Sequence, residues 1–143
     1  MADDRNSDDS ERLKAVRPQR EVMTRQRLPY FVGISADSVG SQGLAMHIVV
    51  IPPGARAAPH LHQGYETAIY VLEGRVETRY GRQLEHSVIS EAGDFLYIPP
   101  DLPHEAINLS DSEPARAVVA RNDAAEQEKV LPYTPDSDAQ AAA

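Results

Sequence analysis

Histidine is scarce in this chain of 143 residues: His47, His60, His62, His86 and His104 are the full set. Two of them stand one residue apart, in His60-Leu61-His62. On an extended segment residues i and i+2 face the same side, about 6–7 Å apart at Cα. Two neutral imidazoles so placed can converge on one divalent ion, and Glu66, four residues after His62, can add an oxygen ligand. Imidazole and carboxylate without thiolate suit Fe²⁺, Mn²⁺, Ni²⁺ or Zn²⁺. Thiolate is excluded outright, because the chain has no cysteine; disulfides and cysteine nucleophiles go with it. On the dipeptide alone, a solvated pair at a loop rim accounts for the same residues. The surrounding sequence has to decide.

The elements that would carry these side chains read as short strands. Gly43 to Ile51 ends at Pro52-Pro53-Gly54, and Thr67 to Leu72 ends at Glu73-Gly74. Arg75 to Tyr80 alternates and stops at Gly81. His86 to Ser90, Phe95 to Ile98, Ala106 to Leu109 and Ala117 to Arg121 complete the series. Runs this brief, recurring every 8–12 residues between turn signals, argue for an all-β sandwich or barrel. No 3.6-residue period is sustained; only Ala124 to Val130 suits a helical turn or two.

Two blocks then carry a family resemblance. The first is Gly54, His60, His62, Glu66 and Gly74; the second is Gly93, Pro99, His104 and Asn108. In order and spacing they resemble the two motifs of the cupin family, and 18 residues separate them. The resemblance implies a double-stranded β-helix, a jelly-roll barrel of antiparallel strands. It implies one divalent metal ion inside, with His60, His62, Glu66 and His104 as ligands. Two positions depart from the pattern. Asp101 stands where the second motif has glycine, and aspartate tolerates tight turns through its side chain. Glu66 lies eight residues before Gly74 rather than seven, so counting from Gly74 gives Thr67 the ligand position. Alternation puts Glu66, Ala68 and Tyr70 on one face and Thr67, Ile69 and Val71 on the other. A bulge beside the metal turns Glu66 inward; without one, the site has three histidines and open positions.

Composition bounds the rest. Fourteen basic residues against 22 acidic ones give a net charge of −8, which offers no long-range attraction to nucleic acid or anionic lipid. No apolar run approaches the ~20 residues of a membrane span, and the N-terminus lacks the apolar core of a secretion signal. The expectation is one soluble, cytoplasmic domain: an N-terminal arm over 1–20, a barrel over 21–131 and a flexible tail over 132–143. His47 reads as a core or rim histidine, His86 as solvated and Asn108 as a turn brace. Arg75, Arg79, Arg82, Arg116 and Arg121 read as surface salt-bridge partners. No phosphate-cradling glycine loop or G-x-S-x-G elbow occurs.

A site of this kind keeps exchangeable positions, as catalytic metal sites do. The expected function is therefore a small metal-dependent enzyme, a dioxygenase-type oxidation of a small organic substrate. The alternatives are a sugar or sugar-phosphate isomerase-like enzyme and a non-catalytic binding or sensing module. The resemblance also implies a homodimer, with Arg17 to Ile34 as the segment that pairs across it.

Overall fold

The computed structural model describes residues 11–18 and 21–135. Most of the expected arm (residues 1–10, 19 and 20) and most of the expected tail (136–143) lie outside the described residues.

Among the described residues eleven strands succeed one another: β1 (Glu21–Met23), β2 (Pro29–Ile34), β3 (Ala45–Ile51), β4 (His60–His62), β5 (Thr67–Glu73), β6 (Arg75–Tyr80), β7 (His86–Glu91), β8 (Phe95–Ile98), β9 (His104–Asn108), β10 (Ala115–Arg121) and β11 (Val130–Pro132). They form two antiparallel sheets. One has six strands in the order β1-β2-β3-β10-β5-β8; the other has five, in the order β11-β4-β9-β6-β7. This is the expected all-β jelly roll. The only α-helix among the described residues is the single turn α1 (Ala36–Val39), capped by Ser35 and closed by Gly40. The helical turn expected near 124–130 is a 3₁₀ turn over Glu126–Lys129. No helix of the described residues is long and apolar enough to cross a membrane.

Period-2 alternation sorts side chains between the inside and the outer face. In β3 the buried positions are Ala45, His47, Val49 and Ile51; in β10 they are Ala115, Ala117, Val119 and Arg121. Register lines these up across the sheet. Arg121 sits between Ala45 and Thr67, Val119 between His47 and Ile69, and Ala117 between Val49 and Val71. Together with Leu28, Tyr30, Ala57 and Val76 the apolar members form the core.

The segment expected to pair across a dimer is used within the chain. Tyr30, Phe31 and Val32 of β2 pair with Val49, Ile48 and His47 of β3. Two turns constrain the loops that carry the motifs. Gly74 adopts φ 95°, and a Cβ there would lie 2.7 Å from the Ala115 Cα. Asp101 adopts φ 64°, the left-handed conformation that the glycine of the motif would supply.

Candidate metal centre

His60 and His62 are the first and last residues of β4, a strand so short that it holds little else. Both rings point into the barrel, and both residues are buried. His104 opens β9 directly opposite His60, which it faces as a cross-strand partner. The three rings close into a triangle with centroid separations of 4.4, 4.7 and 5.0 Å. One ring nitrogen from each lies within 4.8 Å of the other two. Two distant stretches of chain are thus brought to one point.

Hydrogen bonds decide which nitrogen each ring presents. The Nδ1 of His60 is 2.6 Å from the Ala58 carbonyl, and the Nδ1 of His104 is 2.9 Å from the Leu102 carbonyl. A carbonyl only accepts, so in both rings Nδ1 carries the proton and Nε2 keeps its lone pair. His62 Nδ1 meets Thr67 Oγ1 at 2.9 Å instead. Its Nε2 is buried and has no hydrogen-bond partner among the described residues. A buried orphan nitrogen is costly unless something binds it. Burial also keeps the rings neutral: it depresses the pKa of His104 to about 4 and, helped by the nearby His104, that of His60 to about 3. His62 is pushed down further, by burial and then by the Arg121 guanidinium. Three neutral imidazoles aimed at a common point fit a divalent cation.

Glu66 is not among them. The register between β5 and β10 shifts between Arg116 and Ala117, which face Glu73 and Val71 and leave Leu72 as the extra residue. The bulge therefore lies at the far end of β5, and alternation runs unbroken from Glu66 to Val71. Thr67, fully buried, turns inward, while Glu66 turns to the surface. There its carboxylate accepts from Tyr97 Oη at 2.7 Å and from Asn122 Nδ2 at 3.1 Å. The expected fourth ligand is thus held elsewhere, and the position counted from Gly74 belongs to Thr67.

The remaining candidates divide between braces, surface groups and a buried ion pair. Asn108 braces the turn after β3, donating to the carbonyls of Ile51, Pro52 and Glu113. His86 is exposed and lies beside Glu85. Asp101 ties the two motifs together: its N–H donates to the His62 carbonyl at 2.8 Å, and its Oδ1 accepts from the Gly64 N–H at 3.0 Å. Arg121 contradicts its surface expectation, since it is buried behind the site. It donates from Nε to Thr67 Oγ1 at 3.3 Å and from Nη1 to Tyr30 Oη, and it pairs with Glu126 Oε1 at 3.5 Å. Glu126 also accepts from His47 Nε2 at 3.2 Å, because the Gly33 N–H occupies the His47 Nδ1 lone pair. Burial opposes the charge of Glu126, but His47 and Arg121 outweigh it and lower its pKa. One buried cation is matched by one buried anion. The signal for Arg121 was present in its inward phase on Ala115-Arg116-Ala117-Val118-Val119-Ala120-Arg121.

The histidines open onto a cavity of about 70 Å³. Leu28, Val49, Ile51, Ile69, Val71 and Val119 line much of it, and among the described residues its lining contains no Asp, Glu or Lys.

Comparison with known proteins places this geometry. A family model described as "Cupin domain" matches residues 47–121. Polyketide synthase CurC from Streptomyces cyaneus is 32% identical over 76 residues, which are 53% of this chain and 47% of that protein. The match thus spans about half the length of that relative. Among solved structures, the polyketide cyclase RemF from Streptomyces resistomycificus is similar with a TM-score of 0.65 at 20% identity, over 90% of this chain and 88% of that one. A Cupin 2 conserved barrel domain protein from Salinispora arenicola gives 0.64 at 22% identity, over 82% and 95%. Oxalate decarboxylase from Lactobacillus farciminis gives 0.67 at 19% identity, over 79% of this chain and 33% of that one. At such identities the structural likenesses establish the fold.

Proposed function

The chain belongs to the cupin family, and from that premise we propose that it is a metal-dependent enzyme acting on a carbonyl-bearing organic substrate. His60, His62 and His104 are the residues that would hold one divalent ion. The observation that carries the reading is the convergence of three neutral, buried imidazoles, one with an orphan Nε2, at the end of an apolar cavity. When bound, the ion supplies Lewis acidity toward a carbonyl oxygen and the negative charge that develops on it.

The protein supplies the rest. All three ligands are neutral, and Arg121 is balanced by Glu126, so nothing in the site cancels an ion's charge. An enolate or carboxylate oxygen is the complementary partner. The apolar walls exclude water and receive the carbon skeleton. At about 70 Å³ the cavity has room for only a few groups of water size. It therefore takes a small molecule whole, or one end of a longer one. The names of two relatives support an enolisable ketone as the substrate class, since a polyketide is a chain of such carbonyls. A sugar-phosphate isomerase is less well supported: among the described residues no lysine lines the cavity to hold a phosphate, and its one arginine is engaged.

The test is turnover of small 1,3-diketones by protein loaded with one metal at a time, monitored by loss of enol absorbance. The expected result is consumption by the loaded wild type and none by metal-stripped protein or by His104→Ala. Binding without consumption would favour a sensing module instead. An O₂-dependent, dioxygenase-type oxidation is the second reading, carried by a three-imidazole donor set that suits iron among other divalent ions. Oxygen uptake by iron-loaded protein with diketones, thiols or phenols separates the two, because Lewis-acid chemistry at a carbonyl consumes no oxygen.

A homodimer belongs to the same proposal, through the outer face of the six-stranded sheet, to which the segment expected from the sequence contributes Phe31. Phe31, Ile48, Val118, Tyr70 and Phe95 are successive cross-strand neighbours across the outer face of the six-stranded sheet. Phe95 is 82% exposed and Tyr70 37%. An apolar row of this length is characteristic of an interaction surface.

A further inference from the structure

The three rings are not oriented in the same way. His60 and His104 each give their Nδ1–H to the carbonyl two residues earlier, a bond made by the backbone that no substitution removes. His62 alone is oriented by a side chain, at 2.9 Å from Thr67 Oγ1. Thr67 is fully buried and β-branched, which restricts its rotamers. Its oxygen also accepts from Arg121 Nε at 3.3 Å. That guanidinium is fixed in turn by Tyr30 and Glu126. The ring plane of His62 has a separate constraint, stacking on Tyr65 at 5.2 Å and 7°. The hydroxyl adds something other than the plane, a hydrogen bond at Nδ1.

We infer that Thr67 is the positioning residue of His62. Ligation through Nε2 needs the proton on Nδ1, and Oγ1, with one lone pair engaged by Arg121, has the other to receive it. Arg121 and Glu126 form the buried anchor that keeps Thr67 in this role. The residue at the seven-residue offset from Gly74 thus supports the centre from one atom further out, without joining it. The inference rests on the reading of His60, His62 and His104 as metal ligands.

The test uses the full chain and Co²⁺, with affinity read by competition against a chromophoric chelator and geometry read from the visible Co²⁺ bands. Thr67→Val keeps shape and removes the oxygen; Thr67→Ser keeps the oxygen. The expected result is binding about 10–100-fold weaker with altered bands for Thr67→Val, and recovery of wild-type affinity and bands by Thr67→Ser. Circular dichroism on the metal-free variants checks that each is folded. Should Thr67→Val fail to fold, ¹⁵N shifts of the imidazoles in Zn²⁺-loaded wild type give an independent reading, with a protonated Nδ1 and a metal-bound Nε2 expected for His62. Wild-type affinity and bands in Thr67→Val overturn the proposal, as does a Thr67→Ser variant as weak as Thr67→Val, or a His62 bound through Nδ1. Wild-type protein that takes up no Co²⁺ overturns the ligand reading itself, and this inference with it.

Discussion

At the scale of single residues, the histidines and their neighbours differ in how they are recognised. The spacing of the two motifs singled out His60, His62 and His104, which the fold brings within 4.8 Å of one another, and with them Glu66, which it does not. The contacts of Thr67, Arg121 and Glu126 leave no such mark in spacing. Thr67 and Arg121 are 54 positions apart in sequence and meet only through the register of β5 against β10. Whether Glu66 or Thr67 faces inward depended on where one extra residue is absorbed, which is a property of the folded sheet. Metal content, measured by elemental analysis, separates the two kinds of residue. His60→Ala and His104→Ala abolish stoichiometric uptake, since each removes a third of the donor set. Glu66→Gln leaves uptake unchanged, because its carboxylate is held by Tyr97 and Asn122 on the outer side; a large loss there would restore it as a ligand.

At the scale of elements, alternating and β-branched runs were readable because each strand has one buried face. Arg75–Tyr80 and Phe95–Ile98 have the extents expected from the sequence. The three-residue strands β4 and β11 and the four-residue helix α1 are too short to show a period. They are held by their neighbours, and in α1 by the reciprocal cap of Ser35 and Ser38. The turns allow sharper tests. Gly74→Ala places a methyl 2.7 Å from the Ala115 backbone at φ 95°, so a loss of about 1–3 kcal/mol is expected in urea unfolding. Asp101→Gly relieves a left-handed aspartate but removes the acceptor for the Gly64 N–H. These effects oppose each other, and a net change within about 1 kcal/mol is expected. A loss several times larger would mean that the link between the motif loops matters more than the backbone preference.

At the scale of the whole molecule, three imidazoles buried together make stability depend on pH. Unfolded, each protonates near its ordinary value of about 6.5; folded, His104 resists to about 4 and His60 to about 3. Below pH 6.5 the unfolded chain therefore binds more protons than the folded one. Stability of the metal-free protein falls from there toward pH 4, by up to about 1.4 kcal/mol per pH unit for each ring. Urea midpoints between pH 8 and 4 check this, and a flat profile below 6.5 contradicts it. Sedimentation addresses the outer apolar row: Phe95→Asp is expected to yield monomer from a wild-type dimer while leaving metal uptake intact. The order of the six-stranded sheet has a consequence for biogenesis as well. β3 and β5 share no edge; each waits for β10, which lies between them but begins only at Ala115, long after β5 has ended at Glu73. A chain emerging from the ribosome therefore carries two unzipped apolar ribbons until β10 has been synthesised. Arg121, at the end of that late strand, reaches Thr67 only when the ribbons close, which sets the earliest moment at which the support for His62 can be complete.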